Sequence, residues 1–291
     1  MELKISESSH PNPHAAKSFE NLIAIEQQKE ELLNSLHLLF DKSNIKKWHK
    51  KHHHSKLSFL AKITDGLPLI ILAGDVGCGK TALANSVSTP LGKKLDKRII
   101  CFETPSNIRG AGRVGEISNR ITEAFSHVKG KIGKTDFGIL IIDEADDLAT
   151  SREQNQAHHE DRAGLNVLIK QIDLITRDEA NLAVILITNR IKVLDSAIIR
   201  RATQIITFER PDNAARKKVF QHLFSGVELK ERELSKLVEA TEMKDVLYSF
   251  SDLIQKVGKQ AVIMAIQKDV PFSFDIYLEV LETVTPSPTI S

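Results

Sequence analysis

One stretch of the chain, residues 72–84, reads Leu-Ala-Gly-Asp-Val-Gly-Cys-Gly-Lys-Thr-Ala-Leu-Ala. Within it, the pattern Gly-x-x-x-x-Gly-Lys-Thr at residues 74–81 is typical of a loop that binds the phosphates of a nucleoside triphosphate. The apolar run 67–73 predicts a buried strand before the loop, and the run 81–87 predicts a helix after it. A strand, a glycine-rich turn and a helix, in this order, are the context that phosphate binding needs.

The residue types in this loop fit the chemistry of phosphate binding. Glycines allow the backbone N–H groups to face phosphate oxygens, and the N-terminus of the following helix adds partial positive charge. We expect Lys80 to reach the β- and γ-phosphates and the hydroxyl of Thr81 to ligate Mg²⁺. The alternative is a glycine-rich turn with a chance Lys-Thr pair, which the preceding strand disfavours.

The composition argues against several classes of protein. The 291 residues carry 40 Lys and Arg against 38 Asp and Glu, a formal net charge of +2. This balance gives no reason to expect nucleic acid or a membrane surface as a partner. No apolar run approaches the ~20 residues that span a bilayer, and residues 1–7 contain no secretory apolar stretch. Two cysteines are too few for a disulfide framework, so we expect a cytoplasmic protein.

Apolar runs alternate with helical patterns along most of the chain, which predicts a parallel sheet covered by helices on both faces. We therefore expect an α/β fold with a five-stranded parallel sheet of the phosphate-loop NTPase type. From residue 213 onward the sequence shows helical patterns and no clear strand, which predicts a smaller all-helical domain. The expected strands are residues 67–73, 98–102, 137–142, 182–188 and 204–208.

The chain divides into four expected segments. Residues 1–17 are polar and include two prolines, so we expect a mobile N-terminal tail. The large α/β domain is expected at residues 18–211, because Pro211 marks a change in sequence character, and the small helical domain at residues 212–284. Residues 285–291, Thr-Pro-Ser-Pro-Thr-Ile-Ser, are expected to form a frayed C-terminal tail.

Residues 46–56 read Lys-Lys-Trp-His-Lys-Lys-His-His-His-Ser-Lys and are strongly basic. Adjacent histidines on a regular element cannot all face one metal ion, and no cysteine or carboxylate lies near them in sequence. We therefore interpret the stretch as a solvated surface insertion, with a basic contact patch as the alternative.

An acidic pair, Asp143-Glu144, follows the apolar run 137–142. The carboxyl end of a buried parallel strand is the place where open α/β sheets bind ligands. We expect Asp143 to hold Mg²⁺ through water, and Glu144 to orient and polarise the attacking water as the general base. The alternative is an ordinary acidic first turn of a helix, which the phosphate loop upstream disfavours.

Two further sites carry polar residues where catalysis would need them. Asn189 follows the expected strand 182–188, and its amide can bond the γ-phosphate or position the water; the alternative is a turn residue. Arg200 and Arg201 end a short predicted helix. They can reach the γ-phosphate held by a neighbouring subunit as an arginine finger, or they can be cations that a helix C-terminus favours.

These elements, in this order and spacing, resemble the AAA+ ATPase superfamily, in its narrow AAA group, from about residue 18 to residue 266. Residues 21–29 resemble the segment that packs on adenine, and residues 209–217 resemble the entry to the helical lid domain. Residues 249–253 stand at the place of a Ser-Gly-Ala-Asp-Leu-like turn and contain no arginine, so we assign no second sensor. The resemblance assigns nucleotide binding to Ile23, Ala24, Gly74, Asp75, Val76, Gly77, Cys78, Gly79, Lys80, Thr81 and Ala82.

A closer resemblance is to bacterial relatives of the pachytene-checkpoint AAA+ proteins, which remodel HORMA-fold partners. Residues 109–116 resemble the loop that lines a hexamer pore and grips the substrate. Residues 158–164 lie where relatives have a second pore loop and an intersubunit arginine. Pore loops usually carry an aromatic residue, and this chain has Arg-Val in its place. The implied pore-loop residues are Arg109, Gly112, Arg113, Val114 and Gly115.

The resemblance implies an ATP-hydrolysing ring, a hexamer with ATP and Mg²⁺, that remodels or disassembles a HORMA-domain protein in bacterial antiphage signalling of the CBASS type. Two alternatives share the same ATPase core. A nucleic-acid motor or loader would use the basic stretch, Arg109 and Arg113 as phosphate contacts, but no recognised DNA-binding motif is present. A nucleotide-dependent scaffold switch would bind ATP without hydrolysing it, and the intact pair Asp143-Glu144 disfavours that reading.

Overall fold

The protein is described from a computed structural model, which describes residues 3–60, 66–105, 108, 115–148, 159–242 and 245–289. The chain divides into two compact units. The first, called the sheet unit, comprises Met1–Glu20, Gln27–Ala73 and Thr81–Thr207. The second, called the helical unit, comprises Asn21–Glu26, Gly74–Lys80 and Phe208–Ser291.

Six strands form one sheet in the order β1-β3-β4-β5-β2-β6. The neighbours β3 and β4, β4 and β5, and β5 and β2 are parallel. Every residue of β5 is buried, as expected for a strand covered on both faces. The strands are β1 (Ser6–His10), β2 (Leu69–Gly74), β3 (Ile99–Glu103), β4 (Phe137–Ile142), β5 (Leu182–Thr188) and β6 (Gln204–Phe208).

Among the described residues, eight helices belong to the part of the chain that forms the sheet, and several of them bury one apolar face. Helix α6 (Glu116–Lys131) buries Ile117, Ile121, Phe125 and Val128, which recur every three or four residues and pack in the same apolar core as the strands. These helices are α1 (Pro13–Glu20), α2 (Glu26–Phe40), α3 (Ser43–His52), α4 (Lys80–Ser86), α5 (Ser88–Leu95), α6 (Glu116–Lys131), α7 (His159–Arg177) and α8 (Ser196–Ile199).

The helical unit has its own core. Tyr277 is fully buried and its hydroxyl donates to Leu253 O at 2.9 Å, while the Tyr248 hydroxyl donates to Val284 O at 2.7 Å. Burial raises the pKa of Tyr248 to about 12 and also raises that of Tyr277, so both hydroxyls stay protonated and can donate at neutral pH. The helices are α9 (Asn213–Leu223), α10 (Glu231–Glu242), α11 (Lys259–Lys268) and α12 (Phe274–Thr283), with a π-helical segment Asp252–Gly258 before α11.

The predicted α/β sheet with flanking helices and the predicted helical C-terminal region are confirmed. The described sheet has six strands, whereas five were expected. The added strand corrects the prediction of a mobile tail at residues 1–17. Strand β1 pairs antiparallel with β3 along its whole length, from Ser6 opposite Glu103 to His10 opposite Ile99. Its sequence, Ser-Glu-Ser-Ser-His, has no apolar period, because backbone hydrogen bonds rather than side-chain burial hold this edge strand.

The frayed tail expected after residue 284 is also corrected. Pro286 is buried, and the backbone N–H and hydroxyl of Ser287 donate to the carboxylate of Asp252 at 3.1 and 2.7 Å. Polar contacts of this kind leave no mark in the local sequence pattern, which is why the segment looked unstructured.

The basic stretch lies largely in α3. None of the residues of α3 is buried, and the side chain of Trp48 is 46% exposed, as expected for a solvated surface segment. Among the residues that the structure describes, no group of three or more His, Cys, Asp or Glu side chains is arranged to hold a metal ion. No described helix combines the length and apolar character needed to cross a bilayer.

Candidate nucleotide-binding site

The loop that follows β2 needs glycine at several positions. Gly74, Gly77 and Gly79 have φ angles of +141°, +75° and +95°, which L side chains rarely adopt. A Cβ atom on Gly74 would lie 1.9 Å from the carbonyl oxygen of Phe208, and one on Gly77 would lie 2.6 Å from Oγ of Ser249. The loop is therefore fixed both by its dihedral angles and by the backbone that packs against it.

The side chain of Lys80 hydrogen-bonds the backbone of this loop. Its side chain is buried and Nζ donates to the carbonyl oxygens of Gly74 at 2.8 Å and Asp75 at 2.7 Å. The ammonium group thus lies against the loop backbone. Cys78, in the same loop, is buried, and burial raises the pKa of its thiol to about 11, so it is neutral at physiological pH. These features fit a site for phosphate oxygens.

Two oxygen donors expected for Mg²⁺ lie within the sheet unit. The hydroxyl of Thr81, in the first turn of α4, donates to Oδ2 of Asp143 at 2.7 Å. The backbone N–H of Glu144 donates to Oδ1 of the same carboxylate at 2.7 Å. A hydroxyl and a carboxylate in contact are hard oxygen donors of the kind that Mg²⁺ prefers, and they fit a site in which water completes the coordination.

Glu144 occupies a strained position. Its φ and ψ angles of 52° and 42° are left-handed, its side chain is exposed, and it directly precedes a short 3₁₀ turn, Ala145–Asp147. Non-glycine residues in this conformation cost free energy and cluster at functional sites. The conformation presents the carboxylate to solvent, as a general base for water requires.

A buried hydrogen-bond network that sequence reasoning missed lies beside Asn189. Asp146, only 8% exposed, accepts from the Thr188 hydroxyl at 3.0 Å and from Arg190 Nε at 3.2 Å. The Thr188 hydroxyl in turn accepts from the backbone N–H of Arg190 at 3.0 Å. Asn189 is therefore held between two residues that are fixed to the segment after β4. An aspartate three residues beyond Asp143 was the available sequence signal, but it reads as part of an acidic turn.

The two candidate finger arginines have different environments. Arg201 makes a bidentate pair with Asp173 on α7, at 2.9 and 3.1 Å, and also donates to Ala197 O. Hydrogen bonding to Asp173 raises the pKa of the Arg201 guanidinium further. Arg200 is exposed and donates to the hydroxyl of Ser196 at 3.1 Å. Both remain candidates, one positioned by an acidic partner and one open to solvent.

Comparisons with known proteins decide the family. Residues 70–210 match the family described as "ATPase family associated with various cellular activities (AAA)". CD-NTase-associated protein 6 from Escherichia coli strain MS 115-1 is 35% identical over 278 residues, which span 92% of this chain and 89% of that protein. This chain belongs to the AAA ATPase family. As an AAA ATPase it is an ATP-hydrolysing enzyme that binds nucleotide.

Solved structures extend the similarity to almost the whole AAA ATPase chain. A chain in the structure of the E. coli MS115-1 HORMA:CdnC:Trip13 complex superposes with a TM-score of 0.91 at 32% identity, covering 98% of this chain and 97% of the other. Trip13 from Rhizobiales superposes with a TM-score of 0.77 at 29% identity, covering 97% and 98%.

The segment assigned to adenine packs on the phosphate loop of this AAA ATPase. A Cβ atom on Gly79 would meet Cδ1 of the buried Ile25 at 3.4 Å. Ala24 has a φ of +60°, and its N–H donates to Oε1 of Glu26 at 3.0 Å. Ile23 is half-buried next to this turn. The geometry brings the predicted adenine segment and the phosphate loop together within the helical unit.

The predicted pore loops of the AAA ATPase are only partly described. Gly115 precedes α6 with a φ of +75°, and a Cβ added to it would meet no atom of the described residues within 4 Å. Arg109, Gly112, Arg113 and Val114 lie outside the described residues, as does His158 at the start of the second predicted loop.

The turn without a second-sensor arginine contacts the phosphate loop through its backbone. The N–H of Ser251 donates to the carbonyl oxygen of Gly77 at 3.0 Å. Ser249 and Asp252 fix this turn, because the Ser249 N–H and hydroxyl both donate to Oδ2 of Asp252, at 3.0 and 2.9 Å. Burial by itself raises the pKa of the Asp252 carboxyl, but hydrogen bonds from Ser287, Ser249 and Lys256 outweigh it and hold that pKa far below its usual range.

Proposed function

We propose that this AAA ATPase couples ATP hydrolysis to the remodelling or disassembly of a HORMA-domain protein in bacterial antiphage signalling of the CBASS type. The observation that carries the proposal is the similarity, over nearly the full chain, to a chain in a complex of HORMA, CdnC and Trip13. The similarity to a CD-NTase-associated protein over most of both chains supports the same context. We place the enzyme in the cytoplasm, where its two buried free cysteines remain reduced.

In this proposal, the phosphate loop and the residues near it take part in nucleotide binding or in hydrolysis. The loop backbone and Lys80 bind the phosphates, and Thr81 with Asp143 holds Mg²⁺, which neutralises phosphate charge when bound. Ile23 and Ala24 contact the adenine. Glu144 orients and deprotonates the attacking water, and Asn189 positions that water beside the γ-phosphate.

The energy of hydrolysis reaches the partner through a ring of subunits, a homo-hexamer in this proposal. Arg200 or Arg201 contacts the γ-phosphate bound by the neighbouring subunit, so that gain or loss of this phosphate changes how subunits pack. The loop from Arg109 to Gly115 then moves with the subunit and grips the substrate. Its grip uses backbone, Val114 and the basic residues, since the chain carries no aromatic residue there.

The test captures the substrate with a hydrolysis-deficient variant. Glu144→Gln should bind ATP and stall before hydrolysis, because the amide cannot accept the proton of the attacking water. The variant is immobilised with ATP and Mg²⁺, exposed to host lysate and eluted with ADP, and the eluate is identified by mass spectrometry. Glu123→Gln, which removes an exposed carboxylate from α6, is the matched control.

A HORMA-domain protein enriched with Glu144→Gln and ATP, but not with Glu123→Gln, is the expected result. Nuclease-sensitive enrichment of DNA or replication proteins would replace the proposal with the motor or loader. A wild-type chain that binds ATP and never hydrolyses it, even with the purified HORMA protein, would replace it with the scaffold switch.

A further inference from the structure

An acidic residue stands inside the phosphate loop. Asp75 follows the first glycine of the motif, and its side chain is only 15% exposed. Its Oδ1 accepts from the backbone N–H of Val76 at 2.8 Å. A carboxylate in a loop that binds anionic phosphates repels the ligand, and partial burial weakens the screening of that repulsion. Such a loop needs a positive charge that offsets Asp75.

Arg210 provides this charge. Its side chain is 6% exposed and its Nε donates to Oδ2 of Asp75 at 2.5 Å. Arginine presents its N–H groups in a rigid planar fork, so neighbours that bind the other N–H groups fix the position of the whole guanidinium. The other donors of Arg210 reach three backbone carbonyls, those of Leu247, Ser287 and Pro288, the last two at 2.8 and 2.9 Å.

The segment that supplies two of these carbonyls, Thr285–Thr289, is itself held in place. Ser287 donates to both oxygens of Asp252, and Lys256 Nζ donates to the Ser287 hydroxyl at 2.6 Å. Asp252 also fixes the turn whose backbone contacts Gly77. The segment Thr285–Thr289 is therefore linked to the phosphate loop by two routes, one through Arg210 and one through Asp252.

We propose that Arg210 is a positioning residue for the ATPase reaction: anchored by the carbonyls of Thr285–Thr289, it neutralises Asp75 and holds the phosphate loop in its nucleotide-binding conformation. The inference rests on the loop being the nucleotide site. It assigns a role to a residue beyond the motif residues and to a segment that the sequence pattern leaves unstructured. It also explains how the loop accommodates an aspartate.

The first measurement compares nucleotide affinity in full-length variants. Binding of N-methylanthraniloyl-ADP with Mg²⁺ is followed by fluorescence, which does not depend on turnover. Arg210→Ala should raise the Kd by about tenfold or more, equal to about 1.4 kcal/mol of binding free energy. In steady-state assays the KM for ATP should rise by a larger factor than kcat falls, because binding rather than chemistry is impaired. Arg232→Ala, which removes an exposed arginine from α10, should leave Kd and KM unchanged.

A second substitution separates charge neutralisation from a merely structural role. In the Arg210→Ala background, Asp75→Asn removes the uncompensated charge and should restore the Kd to within about threefold of the wild-type value. Arg210→Lys, which keeps the charge but loses the fork, should bind more tightly than Arg210→Ala. A double variant as weak as Arg210→Ala, or an Arg210→Ala variant that binds like wild type, would overturn the inference.

The role of the C-terminal segment has its own test. Ser287→Ala removes the hydroxyl contacts with Asp252 and Lys256 and should raise the Kd by about two- to fivefold, as expected for one charge-assisted hydrogen bond that acts indirectly. The effect should be smaller in the Arg210→Ala background, because the route through Arg210 is then lost and only the route through Asp252 remains. Thr289→Ala, exposed in the same segment, is the control. Equal effects of Ser287→Ala with and without Arg210 would contradict the anchoring by this segment.

The proposed site and the inference fail in distinguishable ways. If the wild-type chain and a Lys80→Ala variant bind the fluorescent nucleotide equally, the loop is not the nucleotide site. If Lys80→Ala loses binding while Arg210→Ala keeps it, the site stands and only the positioning role of Arg210 is lost.

Discussion

The hydroxyl of Thr81 lies 2.7 Å from Oδ2 of Asp143, to which it donates a hydrogen bond. This contact joins the first turn of α4 to the end of β4, across 62 positions of sequence. It brings the two expected Mg²⁺ ligands into direct contact, so the fold itself positions the oxygen donors. A site organised in this way loses little free energy to rearrangement when the ion binds.

Replacing the hydroxyl tests this arrangement. Thr81→Val keeps the shape of the side chain but removes the ligand oxygen and the bond to Asp143. ATP hydrolysis should fall by about a hundredfold or more at 1 mM Mg²⁺, in line with the loss of one electrostatic contact to a metal-assisted transition state. The measurement is a Mg²⁺ titration of ATPase activity. Thr81→Ser retains the hydroxyl and should stay within about threefold of wild type; equal losses in both variants would show that packing rather than ligation matters.

Replacing Glu144 with glycine should make the protein more stable but inactive. Because its backbone is left-handed, Glu144→Gly should abolish hydrolysis and raise the free energy of unfolding by about 1 kcal/mol. Asp96→Gly changes a residue with a similar φ of +51° at the end of α5, and should stabilise by a similar amount without affecting hydrolysis. Chemical denaturation and ATPase assays of the two variants check the prediction. A Glu144→Gly chain that still hydrolyses ATP would remove Glu144 from the mechanism.

Alanine variants of Arg200 and Arg201 should differ both in their free energy of unfolding and in their ATPase activity. Arg201→Ala loses the bidentate contact with Asp173, which is partly exposed, so the free energy of unfolding should fall by about 0.5–1 kcal/mol. Arg200→Ala should leave it unchanged. One of the two variants should lose turnover while still binding nucleotide, which identifies the finger, and two fully active variants would contradict a finger at this position.

A comparison of Gly77 with Gly226 separates the cost of backbone strain from the cost of a steric clash. Gly77 and Gly226 have φ angles of +75° and +90°, but a Cβ on Gly77 meets Oγ of Ser249 at 2.6 Å, while a Cβ on Gly226 meets no atom of the described part of the chain within 4 Å. Gly226→Ala should therefore cost about 1–2 kcal/mol of unfolding free energy from strain alone. Gly77→Ala should cost more and should also weaken nucleotide binding. Equal costs in denaturant titrations would mean that the turn near Ser249 yields without penalty.

The N-terminal strand should be sensitive to acid. His10 is 3% exposed and hydrogen-bonded to Thr89 at 2.8 Å, and burial lowers the pKa of its imidazole below 6.5. The unfolded chain then binds a proton at His10 more readily than the folded chain. Stability from this residue is complete above pH 6.5 and falls as the pH drops toward the folded-state pKa.

The measurement compares Tm at pH 7.5 and pH 5.5. Wild type should lose more Tm over this interval than His10→Asn, in which no group titrates at this position. His14→Gln, an exposed histidine on α1, should lose as much as wild type. A His10→Asn variant with the wild-type pH dependence would contradict the role of His10.

The amino-acid sequence by itself was enough to predict those features that are set by residues close together in the chain. A phosphate-loop conformation at residues 74–81 could be predicted, because such a loop needs glycine at fixed spacings, where the backbone dihedral angles disfavour other residues. The pair Asp143-Glu144 was predictable because it directly follows a buried apolar run. The helical region after residue 213 was visible in its apolar periodicity.

Tertiary structure alone decided the contacts between residues far apart in sequence. The pairing of β1 with β3, the network that holds Asp146 to Thr188, and the contact of Arg210 with Asp75 follow no local period. In each of them a polar group finds its partner only when the chain has folded, since the hydrogen bond depends on a distance in space. Sequence therefore specified which residues are proposed to bind phosphate, and the fold decided which residues hold them in position.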